Sequence, residues 1–568
     1  MLQFLATLSA APIATTIFYV SPSGNDTHNG ETPTTAFRTI SKCAEAVSFP
    51  SSSASTTCLV SPGVYREAVE LPLLTTNART FAANPASSSG GGPVVISGAE
   101  LFPAATTAWT RLAGTSAPIY HTHLALPQGL PRLDQLFVNG SMVHEARWPN
   151  AGARFENDAA NVVSTKYWSL LQPGSQYGGV VDENLAAASS KSGIDSRPFS
   201  WSGATATLNV GEQFYTYTRA VQNHVAGSGL FNYSRDFPGN PPNATWLRWA
   251  GMQYFLSGKL EALDAPGEWF HDAATATLYL WSPDDASPAH SHVEYKAREY
   301  GLFAKHDSQL NVADLTVRGI DFMASTFTFH NCTRCTFRDI ALAYPTFNST
   351  IPEQKANGDP AKGTVTRTEV RGDRNTLSRI TLKYSPNDGL VIGGTNSRAE
   401  DILIEYVDWL GTLDYKPLGL SGTNMTLIKA TVGYFGNAGV VTSVPNCLPS
   451  GIQVPPLPPP PIPRPMIPAR VLQVSYSRIH HGGRVGLDTA GLYSGGWATA
   501  GTHWHHNWVH DHREKCVRLD DQSRNATLHH LVAWNCGMGT QGGTQRHAGI
   551  GLILKGDGHT VYANVRKE

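Results

Sequence analysis

Charge is scarce in this chain. Only 15% of its 568 residues are charged, and Lys+Arg at 43 nearly balances Asp+Glu at 44. No basic field exists to draw in a polyanion, so nucleic acid is excluded as the expected partner. Long apolar runs are also missing, which excludes a membrane-spanning helix. Cysteine is thin, with seven residues in the whole chain. That is too few for a disulfide-stapled miniprotein, and the odd number leaves one thiol free or paired with another chain. Helical periodicity is short-lived: Phe37, Ile40, Ala44 and Val47 share a face, and no helical repeat follows.

Glycine and proline are abundant, at 53 and 37 residues. They point to a β-rich chain with many turns. The leader MLQFLATLSAAPIATT passes from apolar to small residues. Residues 1–16 therefore read as a signal peptide or as a buried first strand. Acceptor triplets begin at Asn25, Asn139, Asn232, Asn243, Asn331, Asn348, Asn424 and Asn525. Eight of them favour a glycosylated, secreted eukaryotic protein.

Residues 17–92 hold strand signals around the short helix. Residues 93–297 differ. Asn139-Gly140 between apolar runs predicts a hairpin, ATATLYLWSP alternates as a strand, and the segment reads as an antiparallel β-rich insertion. From residue 298 onward the chain repeats every 20–30 residues or so: a short Ile/Leu/Val strand, a polar or glycine bend, then another short strand. Such units bury their apolar faces only by stacking. Proline-rich residues 443–468 leave the sheet as an extended loop.

The opening FYVSPSGNDTHNGETPTTAFRTISKCAEAV and the stacked repeats resemble right-handed parallel β-helix proteins of the pectin-lyase-like superfamily. In that superfamily an N-terminal helix caps the open end of the solenoid. FVNG…ARWPN resembles an insertion found in carbohydrate-active β-helix proteins. The resemblance implies an all-β parallel solenoid with an inserted antiparallel domain.

Aligning the coils stacks AGLYSGG, VRLDDQS and LILKGDG. Asp520 then lies near Lys555, with Tyr493 and Arg518 on the same side and Asp488 one coil earlier. Neighbours on a strand face opposite ways, so Asp520 and Asp521 fit a strand end. Two uses are open: a catalytic carboxylate pair, or a polar turn bonding its own backbone. The expected catalytic set is Asp488, Asp520, Asp521 and Lys555. Tyr493, Arg518, Trp497 and His547 are the expected substrate contacts, and Trp504 and Trp508 are further candidates for stacking on sugars. The doublet Asp520-Asp521, the upstream Asp488 and RHAGIGL at Arg546 to Leu552 resemble the polygalacturonase family. That family's Asn-Thr-Asp and Arg-Ile-Lys motifs are absent.

Cys516 and Cys536 are about one coil apart, suiting either a disulfide or two core-filling thiols. Histidine crowds HWHHNWVHDH, where His503 and His505 can share a strand face; stacking and sugar contact are the expected uses, without a metal. No cofactor is expected, since no calcium cluster is legible. The expected partner is a polysaccharide, bound by a monomer and either hydrolysed or cleaved by β-elimination; a non-catalytic glycan-binding or adhesion protein is the alternative.

Overall fold

The computed structural model describes residues 15–567 apart from 49–54, 72–76, 86–90, 103–107, 131, 212, 214, 236–248, 305–310, 348–365, 413–415, 444–470, 496–498, 500, 522, 538–539, 542–543 and 546–550. Parallel strands build a nineteen-stranded and an eleven-stranded sheet. They wrap around one apolar core that runs from Val20 to Cys536. This is the parallel β-helix expected from the repeats. The eleven-stranded sheet is called the front sheet below.

Register shows the coil directly. Thr376 pairs with Arg398, which pairs with Thr426, so successive coils are 22 and 28 residues long. Leu377, Ala399 and Leu427 form one buried row. The long strands turn corners without leaving the sheet. Arg379, Asp401 and Lys429, inside Thr376–Ser385, Arg398–Val407 and Met425–Phe435, adopt left-handed φ of 52°, 55° and 55°. A left-handed residue breaks the two-residue alternation and bends the strand.

Two ladders secure the bends. Tyr344, Tyr384, Tyr406 and Tyr434 stack with ring centroids 5.1, 5.5 and 4.8 Å apart. Buried Asn375 and Asn507 satisfy backbone groups inside turns; Asn507 accepts from Ser477 N at 3.0 Å and donates to Val474 O at 2.9 Å. Glycine is required where the front strands end. Gly372, Gly394 and Gly422 stack at φ of 138°, 114° and 133°, and a Cβ on Gly394 would lie 1.8 Å from the Gly372 carbonyl oxygen.

The helix α1 (Ile40–Ser48) closes one end of the core. It begins at Ile40, three residues after Phe37, because the Glu67 carboxylate accepts from the amides of Ile40 and Ser41 at 2.8 Å each. Its buried Cys43 is bonded to Cys58 on Ser55–Val60.

The insertion is antiparallel apart from the parallel pairing of Ser141–Glu145 with Glu268–Asp272. The expected hairpin is present: Leu136–Val138 returns as Ser141–Glu145 through Asn139 and Gly140 at φ of 53° and 79°. Val94–Ser97 still pairs in the solenoid, with Ile320–Met323, so the insertion begins after it rather than at residue 93. Thr15 and Thr16 already pair with Ser55 and Thr56, while residues 1–14 lie outside the described residues. Of the proline-rich segment 443–468, only Ser443 is described, as the end of the strand Val440–Ser443.

Candidate functional site

The front sheet positions the carboxylates. Tyr493 on Ala490–Ser494 pairs with Arg518 on Lys515–Leu519, which pairs with Ile553 on Leu552–Leu554. The ladder continues past the strand ends, with Asp520 N donating to Ser494 O and Lys555 N to Leu519 O. Arg518 and Asp520, two residues apart, therefore project from the same face. Asp520 is the first residue after its strand and Asp521 lies in the turn, as the doublet required.

These side chains meet across coils. Asp520 Oδ2 accepts from the Tyr493 hydroxyl at 2.8 Å and lies 2.8 Å from Arg518 Nη2. Lys555 Nζ lies 2.7 Å from both Asp520 Oδ1 and Asp521 Oδ1. Arg518 Nη1 donates to Asp488 Oδ1 at 2.7 Å. One guanidinium thus joins Asp488 and Asp520. Burial alone would raise the Asp520 carboxyl, but the Lys555 hydrogen bond, the Arg518 charge and the Tyr493 hydroxyl together hold it at about 2. Burial and the Asp520 charge push Tyr493 upward, and its hydrogen bonds to Asp520 and Asp521 raise Lys555.

Two members were missed in the sequence. Lys515 is buried and donates to Glu514 Oε2 at 2.8 Å and to Asp488 Oδ1 at 3.2 Å. Glu514 also accepts from the Thr489 amide. A charged first residue of a strand, sunk behind the turn, leaves no signal in the alternation. Trp504 must be corrected: it is fully buried in the solenoid core, because it occupies the inward position between His503 and His505. Trp508 is exposed, but it sits on the nineteen-stranded sheet. Trp497 and His547 lie outside the described residues. Cys516 and Cys536 are disulfide-bonded, joining the start of a front strand to the end of Val532–Cys536 and so closing one coil. Cys332 and Cys335 are also paired, and Cys447 lies outside the described residues.

The rest of the front face differs in character. Away from the Asp520 cluster, the outward row in register with Tyr493 is Val391, Gly419 and Val441. It continues through Glu369, which pairs with Arg371, to Thr328 and Phe303. Val391, Gly419 and Val441 are uncharged and buried. A recess of about 110 Å³ lies between the insertion and the solenoid, lined by Trp168, Phe255, Trp409, Glu145 and Arg147 among others. It is separate from the Asp520 cluster. In the recess the carboxylates Glu145 and Asp134 share Arg132, as Asp488 and Asp520 share Arg518 in the cluster.

Comparison with protein-family models and with curated proteins gives no match. Among solved structures, one described as a glycoside hydrolase aligns at 13% identity and a TM-score of 0.53, covering 97% of this chain and 96% of that one. A complex of XylC with xylose aligns at 12% identity and 0.44, over 91% and 69%. A GH136 lacto-N-biosidase from Eubacterium ramulus aligns at 9% and 0.32, over 96% and 68%. The first likeness supports the fold assignment across the described residues, insertion included. Among the described residues, no helix is long and apolar enough to cross a membrane.

Proposed function

We propose that the chain hydrolyses a neutral glycan laid along the front sheet. Asp520 is the ionised carboxylate, acting as nucleophile or base, and Asp488 is its acid partner. The observation that carries this reading is the single Arg518 guanidinium bonded to both. It keeps them within the range of about 5–10 Å over which paired carboxyls cleave glycosidic bonds. Asp488 is half exposed, with 52% of its side chain open to solvent.

Charge separates hydrolysis from elimination. Asp488, Glu514, Asp520 and Asp521 face Lys515, Arg518 and Lys555, leaving the cluster one negative charge in excess. Elimination needs an unspent cation to neutralise a uronate; among the described residues of the cluster the cations are already paired, which favours hydrolysis. One solved structure that aligns over nearly the whole length of this chain is described as a glycoside hydrolase, which agrees with this reading. Export fits as well. The six described sequon asparagines, Asn25, Asn139, Asn232, Asn331, Asn424 and Asn525, are exposed, and three disulfides suit an oxidising compartment.

A second reading is a glycan-binding protein without catalysis. It is favoured by the occupancy of Asp520, whose oxygens already face Tyr493, Arg518 and Lys555. The purified protein should be incubated with neutral and acidic polysaccharides while reducing ends and the absorbance of unsaturated uronates are followed. Reducing ends from a neutral polymer, without the absorbance, are expected. Unsaturated products would overturn hydrolysis, and binding without products would establish the second reading.

A further inference from the structure

Histidine doublets recur in register on the nineteen-stranded sheet. Ser475, His505, His529 and Tyr562 form one column across four coils. The residue after each, namely Tyr476, His506, His530 and Ala563, has a left-handed φ between 52° and 55°. The break in alternation turns both side chains of each doublet outward. His506 and His530 then stack 4.7 Å apart and 1° from parallel, beside His505 and His529 at 5.0 Å and 8°. Within the doublets, Nδ1 meets Nδ1 at 2.9 Å for His505 and His506 and at 2.8 Å for His529 and His530. His503 Nε2 lies 2.8 Å from His529 Nε2. One ring nitrogen from each of His506, His529 and His530 lies within 4.8 Å of the other two. Burial, reinforced by neighbouring imidazoles, lowers His505 to about 4 and also lowers His529.

We propose that His506, His529 and His530 form a binding site for a divalent transition-metal cation of the zinc or copper class. Three imidazoles and no carboxylate select those ions over calcium or magnesium. The approach of His529 to His530 is that of two imidazoles sharing one proton. A metal about 2.0–2.1 Å from each nitrogen in a tetrahedral array sets the nitrogens about 3.3 Å apart. Replacing the shared proton therefore needs a small opening of the pair. His503 completes the arrangement. When His529 donates its Nε2 proton to His503, its Nδ1 is left free for the metal. The His506 and His530 rings lie parallel, so one of them must turn out of the stack for both in-plane lone pairs to reach one ion, and the exposure of His530 leaves it room to do so. The site joins the coil of His506 to the next coil. It lies on a different sheet from Asp520, so its occupancy is independent of the glycan chemistry.

The test uses the full, untagged chain after chelator treatment. Zinc and copper salts are titrated in separately by calorimetry, and melting is followed with and without metal. One ion per chain is expected, with a melting temperature that rises with metal concentration. His506→Ala and His530→Ala should each weaken binding at least tenfold and abolish the metal-dependent rise, while His28→Ala, in the N-terminal loop, should match the wild type. Unchanged melting of the metal-free His530→Ala protein separates a lost ligand from a lost fold; His506→Ala serves if that variant melts early. The proposal is overturned if the wild type binds neither metal, or if the His506 and His530 variants bind as the wild type does.

Discussion

Replacing Asp520 by asparagine keeps the shape of the side chain and removes its charge. The depression of its carboxyl from 3.8 to about 2 measures how strongly its surroundings favour the ionised form. That difference corresponds to about 2 kcal/mol. Solvent screening at this partly open site reduces the share reaching folding stability to about 1 kcal/mol. Lys555 retains Asp521, and Arg518 retains Asp488. Melting of the variant should therefore fall by only a few degrees. Activity should fall by about 10²–10⁴-fold, the usual contribution of a positioned acid–base or nucleophilic group. The pH dependence has a definite sign. A depressed carboxyl stabilises the fold fully above its unfolded value near 4, and that stability is lost as pH falls through about 2. The wild type should lose this increment on acidification and Asp520→Asn should not. The assay pairs initial rates with calorimetric melting across acidic pH. Full activity in Asp520→Asn, with the stability change as expected, would refute a catalytic role and leave a structural ion pair.

Other consequences are as direct. Cys516→Ala with Cys536→Ala removes the link that closes a coil; for a loop of this length, about 3 kcal/mol should be lost, read as a drop in the denaturant midpoint. Asn507→Ala strands the Ser477 amide and the Val474 carbonyl inside a turn, and should cost about 2–4 kcal/mol in the same measurement. Glu145→Gln should leave turnover within a few-fold of wild type, since the recess is assigned no bond-breaking role; a loss matching that of Asp520→Asn would move the chemistry there. Protein from a eukaryotic secretory host should lose mass on enzymatic deglycosylation, and mass spectrometry should find glycans among Asn25, Asn232, Asn331, Asn424 and Asn525; a chain retained in the cytosol without glycans would contradict the export reading.

Repetition made the solenoid legible. Apolar strands of similar length recurring at coil spacing admit few other solutions, and the stack of Tyr493, Arg518 and the strand ending before Lys555 followed from sliding those strands over one another. The hairpin at Asn139-Gly140 was legible because that dipeptide fits a turn needing two positive φ values. Other features hid behind backbone geometry. Histidine doublets look like a run of polar residues until each second member is seen to be left-handed. Lys515 and Glu514 do not register because a buried ion pair at a strand start has no periodic signature. Trp504 was misread for a simple reason: a tryptophan among histidines suggests a surface, yet strict alternation places it in the core. The recess was out of reach, since Trp168 and Trp409 are brought together only by docking the insertion on the solenoid.

The most direct measurement is a crystal structure of Asp520→Asn soaked with an oligosaccharide of whichever neutral polymer the wild type cleaves. The account expects the glycan to lie against the end of the front sheet beside Tyr493 and Arg518, with a glycosidic oxygen between Asp488 and residue 520. A glycan seated in the Trp168 and Trp409 recess, or on another face with the Asp520 cluster bare, would contradict it.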